Sequence, residues 1–171
     1  MKWLAGVFLL CTLSPAWGEV VFSDVTPKQM RDVLGRAGLP AELQMAPEGP
    51  QIGSRIEKQP FNVFFFDCAG APDIHCREVQ FYAGFLIEGM FPTAQINSWN
   101  GAHRFGRAYI DQDGNAALEM DVDAVGTSET QLNDAVLWWK TLVPQFADFL
   151  KKAISPQMGP AAQRTPSTSA Y

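Results

Sequence analysis

The dipeptide Asp113-Gly114 restricts what this chain can fold into more than any other feature. It separates two strand-like runs, Phe105–Asp111 and Ala116–Asp123, and Asp-Gly is a preferred two-residue hairpin turn because both residues tolerate positive φ. In the second run Leu118, Met120 and Val122 alternate with Glu119, Asp121 and Asp123. That period of two predicts one buried face and one row of carboxylates in water. An antiparallel hairpin with one dry face needs further strands beside it or other elements packed over it.

The rest of the chain supplies both. Thr26-Pro27-Lys28-Gln29 is a helix start, with Thr26 as cap, Pro27 at the first position and Gln29 completing a capping box. Met30, Val33, Leu34 and Ala37 follow at helical spacing, and Gly38 is placed to end the helix. Short strands are expected near Glu42–Met45 and Gln51–Glu57, around a turn at Pro47–Pro50. The run from Phe61 to Asp67 is apolar almost throughout and reads as a central strand. Glu78 to Ile87 is also strand-like, with Phe81 and Phe85 on one side and Tyr82 and Leu86 on the other. Pro92 to Asn100 reads as a short helix carrying Ile96 and Trp99.

Ser128-Glu129-Thr130-Gln131 is a second capping box. It opens a long helix with a stripe of Leu132, Ala135, Val136, Trp139, Leu142, Val143, Phe146, Phe149 and Leu150. Pro144 lies inside that helix and should bend it. The order predicts an α+β domain: an antiparallel sheet packed against N-terminal, middle and long C-terminal helices.

Residues 1–18 read as a secretory signal peptide: Lys2, an apolar run from Trp3 to Leu13, then Ala16-Trp17-Gly18. The run falls short of the roughly 20 residues that span a bilayer, and Leu10 before Cys11 does not fit a lipid-anchor signal. A periplasmic or secreted protein is expected after cleavage near Gly18, with a domain over 19–154 and a disordered Pro/Ser/Thr-rich tail over 155–171. Removing Lys2 takes the formal charge from −5 to −6, and an acidic domain lacks the basic footprint of a nucleic-acid binder. Of three cysteines, Cys68 and Cys76 remain, and an even pair in an exported chain predicts one disulfide. A metal site from Cys68, His75, Cys76 and His103 is the rival, but the close paired spacing of zinc ligands is absent.

No catalytic constellation emerges. Asp111-Gln112-Asp113-Gly114-Asn115 has its glycine at the wrong place for a calcium loop, and Glu119, Asp121 and Asp123 fit a solvated strand face. No Gly-x-Ser-x-Gly elbow, P-loop or dinucleotide fingerprint is present, so no catalytic residue, metal or cofactor is expected. Asn97, Trp99 and Asn100 invite a ligand-site reading; the favoured one buries Trp99 and uses the asparagines on backbone groups. Arg104 and Arg107 could grip an acidic partner or stand solvated. Trp138, beside the buried stripe of the last helix, is a candidate partner or dimer surface.

The Asn97-x-Trp99-Asn100 turn, the Arg104-Phe105-x-x-Ala108-Tyr109-x-Asp111 strand, the Asp113-Gly114 hairpin and the closing helix together resemble the YbjN family. The resemblance spans roughly Thr26 to Ile154 and brings no catalytic residues. Members are described as bacterial sensory transduction regulators, and exported ones similarly carry a cysteine pair ahead of the Asn-Trp-Asn region. It implies a fold like that of type III secretion chaperones, which bind other polypeptides and often dimerise. The expected function is therefore a non-enzymatic, regulatory or chaperone-like protein-interaction module, with an unidentified protein partner and room for a homodimer. The alternative is a small-ligand sensor or enzyme with a pocket near Asn97, Asn100 and Arg104.

Overall fold

The computed structural model describes residues 21–154. The expected signal segment 1–18 and tail 155–171 lie outside the described residues. The elements in chain order are α1 (Pro27–Arg36), β1 (Glu42–Ala46), β2 (Gly49–Ile56), β3 (Gln59–Ala69), β4 (His75–Phe85), α2 (Thr93–Ala102), β5 (Arg107–Ile110), β6 (Ala116–Asp123) and α3 (Glu129–Ile154). All strands pair antiparallel in one sheet of order β1-β2-β3-β4-β6-β5. With its three helices, this is the α+β arrangement the pattern implies.

Local chemistry sets the helix ends. The Thr26 hydroxyl accepts from the Gln29 N–H while the Gln29 side chain accepts from the Thr26 N–H, closing the capping box. At the other end Gly38, at φ +76, lets Leu39 N–H reach the Leu34 carbonyl and its own N–H reach that of Gly35. That is the Schellman closure, and it places Leu39 back in the core. Ser128 and Gln131 close the second box at the start of α3, which continues unbroken past Pro144.

The helices cover one face of the sheet. Phe61, Val63 and Phe65 of β3, and Val79, Phe81, Ala83 and Phe85 of β4, point into the core. Trp139 of α3 packs against Phe61 and Phe81 at 6.0 and 5.6 Å between ring centroids, and Phe146 meets Phe85 edge-on at 5.1 Å. α1 is held to α3 by an Arg36–Glu129 ion pair at 2.6 Å and by Lys140 donating to the Ala37 carbonyl at 2.7 Å. The second contact sets a cation on the carbonyl end of α1, where the helix dipole favours it. No helix among the described residues is long and apolar enough to cross a membrane.

Three expectations need correction. First, β3 and β4 both run further toward their shared turn than the apolar pattern suggests, and Cys68 stands directly opposite Cys76 in their register. The two cysteines form a disulfide, so sulfur ties strand to strand rather than closing the turn alone. In exchange β4 stops at Phe85, and Leu86 lies outside it in water.

Second, β5 covers only Arg107–Ile110, because Phe105 takes φ +70 and breaks the extended run. Third, the β5–β6 turn has three residues rather than two. Asp111 N–H reaches the Asn115 carbonyl, and within the loop only Gly114 has positive φ. The Asp111 carboxylate accepts from the N–H groups of Asp113 and Asn115, at 3.0 and 2.8 Å. That side chain stabilises the longer loop.

Candidate functional site

The Asn97–Asp111 stretch joins α2 to β5, and most of its distinctive residues turn inward. Trp99 is fully buried, with Phe146 and Phe149 of α3 at 4.8 and 5.4 Å. The His103 ring stacks on Trp99 at 3.5 Å and bonds the Trp99 carbonyl through Nδ1. Two of the sequence features, Trp99 and His103, are thus one packing unit. His75 is elsewhere, paired to Asp24 at 2.7 Å. That bond, the largest influence on Asp24, pulls its carboxyl below the ordinary range. Among the described residues no three histidine, cysteine or acidic side chains gather to hold an ion.

Asn100 works as a strand surrogate. Its side-chain oxygen accepts from the Ala108 N–H at 2.8 Å and its amide donates to the Ala108 carbonyl at 2.9 Å. Both backbone groups point away from β6, so one side chain occupies the outer edge of β5. Asn100 therefore satisfies backbone groups, as expected, but those of a neighbouring strand. Asn97 is exposed on α2.

Between them the chain passes through Gly106, which is buried. A Cβ there would lie 3.1 Å from a Leu142 methyl and 3.2 Å from a Leu118 methyl. Glycine at this point lets the loop press against α3 and β6 together.

The expected row of solvated carboxylates on β6 is wrong at its first member. Glu119 is 7% exposed. It accepts from the Tyr109 hydroxyl and from the Arg107 guanidinium, both on β5, and stands opposite Tyr82 of β4. The hydrogen bond that Arg107 donates to Glu119 is the largest influence on its guanidinium and raises its pKa. Burial raises the Tyr109 phenol far above its ordinary value, with help from its bond to Glu119. Burial also raises Tyr82, reinforced by the Asp111 and Glu119 charges.

Small residues make room for these rings on the sheet's second face. Tyr109 lies opposite Ala117, Ala117 opposite Gly84, and a Cβ on Gly84 would meet the Tyr82 hydroxyl at 3.3 Å. Asp121 and Asp123 do remain exposed. Arg107 is thus committed to an internal carboxylate, while Arg104 is not.

What faces outward is a second cluster. The left-handed backbone at Phe105 directs its ring to solvent, 54% exposed, where it meets Trp138 of α3 at 5.0 Å. Trp138 is itself 49% exposed. The Arg104 guanidinium lies over the Phe105 ring at 5.0 Å, a cation–π geometry. The structure so brings together Arg104, Phe105 and Trp138, which lie on different segments. Sequence reading singled out Trp138 and Arg104 separately and placed Phe105 inside a strand. Alternation within β5 could not reveal the contact, since Phe105 leaves the extended pattern.

The YbjN family, described as "Putative bacterial sensory transduction regulator", matches residues 26–152. The chain belongs to that family. A comparison with curated proteins finds no match. The YbjN match begins at the cap of α1 and closes within the last turn of α3, so it takes in every element of the fold. The family description points to a regulatory role in sensory transduction. Within this YbjN chain, Trp99, Asn100, Tyr109 and Asp111 are architectural: they seat α2, close the edge of β5 and shape the hairpin. Two open clefts, of about 490 and 530 Å³, lie elsewhere, one around Glu42, Ser54 and Asn62, the other around Arg31, Arg36 and Leu39.

Proposed function

We propose that this YbjN-family chain is a non-enzymatic protein-interaction module of regulatory or chaperone-like kind, acting in the periplasm after export. The observation that carries this reading is the Arg104–Phe105–Trp138 cluster. Tryptophan, arginine and other aromatic residues dominate the energetics of protein interfaces. Here two large rings and a cation stand together in solvent. A left-handed φ at a bulky residue costs about 1–3 kcal/mol, and it persists only where surrounding structure enforces it. In this loop Gly106 and the Asn100 clamp on either side of the kink supply that enforcement. The outward display of Phe105 is then a product of the fold and not of a slack loop.

The small-ligand alternative draws less support. Asn100 spends its side chain on Ala108, and Arg104 leans on a ring rather than into a cleft. Location rests on the export-type signal at residues 1–18.

The test is site-specific photo-crosslinking in the native envelope, with the reactive residue at position 138 or, as control, at exposed Lys152. The expected result is one or a few discrete protein adducts at 138 that are absent at 152 and lost in Phe105→Ala. Absence of any protein adduct at 138, or turnover of a substrate by the purified protein, would overturn the reading.

A further inference from the structure

The two edges of the sheet are finished differently. At β5 the Asn100 amide occupies the outward backbone groups of Ala108, so that edge is blocked at the middle of a four-residue strand. At the opposite edge β1 pairs only with β2, and its residues are exposed except for half-buried Ala46. Its register is informative. Met45 stands opposite Pro50, which has no N–H, so this cannot be a hydrogen-bonded pair of the ladder. Pairs alternate along an antiparallel ladder, so Glu42, Gln44 and Ala46 bond inward to β2. The N–H and C=O groups of Leu43 and Met45 therefore point out of the sheet.

The side chains of the same two residues stand on the helix-bearing face, since Leu43 lies opposite buried Ile52. They are 36% and 67% exposed. With Pro27 and Lys28 of α1 and Pro72 and Ile74 of the β3–β4 turn they line a largely apolar cleft of about 260 Å³.

We propose that β1 pairs antiparallel with β1 of a second copy of this chain, about a two-fold axis through Gln44. The strand is self-complementary in that register, as a two-fold interface requires. Leu43 falls opposite Met45 of the second copy, and Met45 opposite its Leu43. Each pair contributes two backbone hydrogen bonds, and each copy's Met45 enters the cleft beside Leu43 of the other. Charge agrees with the pairing. Glu42 is the single charged residue of β1 and falls opposite Ala46, so no like charges meet across the axis, although the chain as a whole is acidic. The contact is small, which places the dimer in the weak, concentration-dependent class. It uses a different element from Trp138, so partner capture through that residue can fail while this pairing stands, and the reverse.

The test uses the whole purified protein. Gln44→Cys puts two thiols across a non-hydrogen-bonded pair, where Cα atoms approach to about 4.5 Å, within disulfide reach. Mild oxidation should give a covalent dimer from Gln44→Cys and none from Glu42→Cys, with the Cys68–Cys76 bridge retained by mass. In sedimentation velocity across a concentration series, Met45→Lys should weaken the wild-type self-association at least tenfold, while Phe66→Lys on the sheet's second face leaves it unchanged. A protein that stays monomeric at every concentration, equal crosslinking of the two cysteine variants, or a dimer lost in Phe66→Lys but kept in Met45→Lys would each overturn the proposal.

Discussion

Replacing Asn100 with alanine probes the main structural claim about the Asn-Trp-Asn stretch. The side chain makes two hydrogen bonds to a single residue, at 2.8 and 2.9 Å, and that residue, Ala108, is 2% exposed. Each bond has a net worth of about 1 kcal/mol, and a donor left unpaired in a dry site costs about 1–3 kcal/mol. Asn100 itself borders solvent, so water can reach the vacated edge and the loss should sit near the lower bound. The expected cost is about 2 kcal/mol. For a domain of this size that corresponds to a fall in Tm of roughly 6–10 °C.

Urea unfolding followed by tryptophan fluorescence is the assay, since Trp99 and Trp139 are both buried. The midpoint should drop while the slope stays constant, because the clamp changes stability and not the area exposed on unfolding. Asn97→Ala, at an exposed site one helical turn earlier, should lie within about 0.5 kcal/mol of wild type. A result in which Asn100→Ala is as harmless as Asn97→Ala would refute the assignment of Asn100 as the closure of β5.

Other consequences follow from the same contacts. Tyr109→Phe should cost about 1.5–3 kcal/mol at neutral pH, the range for a hydrogen bond to a charged group. Because the Tyr109 pKa is raised, its contribution is complete below the ordinary phenol value of about 10 and is lost as pH rises toward the folded value. The gap between wild type and Tyr109→Phe should therefore narrow in alkali, as read by chemical denaturation at stepped pH. Gly106→Ala should cost about 1–3 kcal/mol by overpacking against Leu142 and Leu118, checked by thermal unfolding. Replacing both Cys68 and Cys76 by serine should lower stability by about 2–3 kcal/mol in the chain-entropy view, measured in urea without reductant. The Asp24 pKa is lowered by His75, so its contribution is present above the ordinary value of 3.8 and lost as pH falls through the folded one. Asp24→Asn and wild type should thus converge in acid, which an acid titration of unfolding would record.

The features legible in the sequence were those decided within a few residues. Both capping boxes, the Gly38 stop and the apolar stripe of α3 depend on neighbours along one helix, and all appear where the pattern puts them. Glu119 was misread because alternation reports only which face a residue occupies. Whether that face is wet depends on Tyr109 and Arg107 arriving from β5 and Tyr82 from β4. A usable signal existed: Gly84 and Ala117 are small residues on the supposedly solvated face, at positions where large rings beside them need room. The turn length was misjudged for a similar reason. Asp-Gly suits a two-residue loop, but the Asp111 carboxylate captures two amides and stabilises a longer one. The Phe105 display could not be read at all, since it needs a positive φ that no side-chain pattern encodes.

These corrections change what the Asn97–Asp111 stretch is for. Taken alone, an Asn-Trp-Asn turn beside two arginines suggests a recognition element, yet its polar groups are nearly all consumed internally. Asn100 is bound to Ala108, Arg107 to Glu119, Tyr109 to Glu119 and Asp111 to its own turn. A residue whose hydrogen bonds are filled in this way can position a neighbour but has little left for a ligand. Besides exposed Asn97 on α2, Arg104 and Phe105 escape that economy, and they do so where the backbone leaves the strand. Recognition and architecture are thus divided within eight residues of chain: the Asn100 clamp on one side and buried Gly106 on the other hold rigid a short kink that presents a ring to Trp138. The same clamp blocks β5 at Ala108, whereas β1, at the other edge of the sheet, has no side chain laid along it among the described residues. If that division is right, Asn100→Ala should weaken photo-crosslinking at position 138 even under conditions where the protein remains folded, because the kink loses one of its two supports.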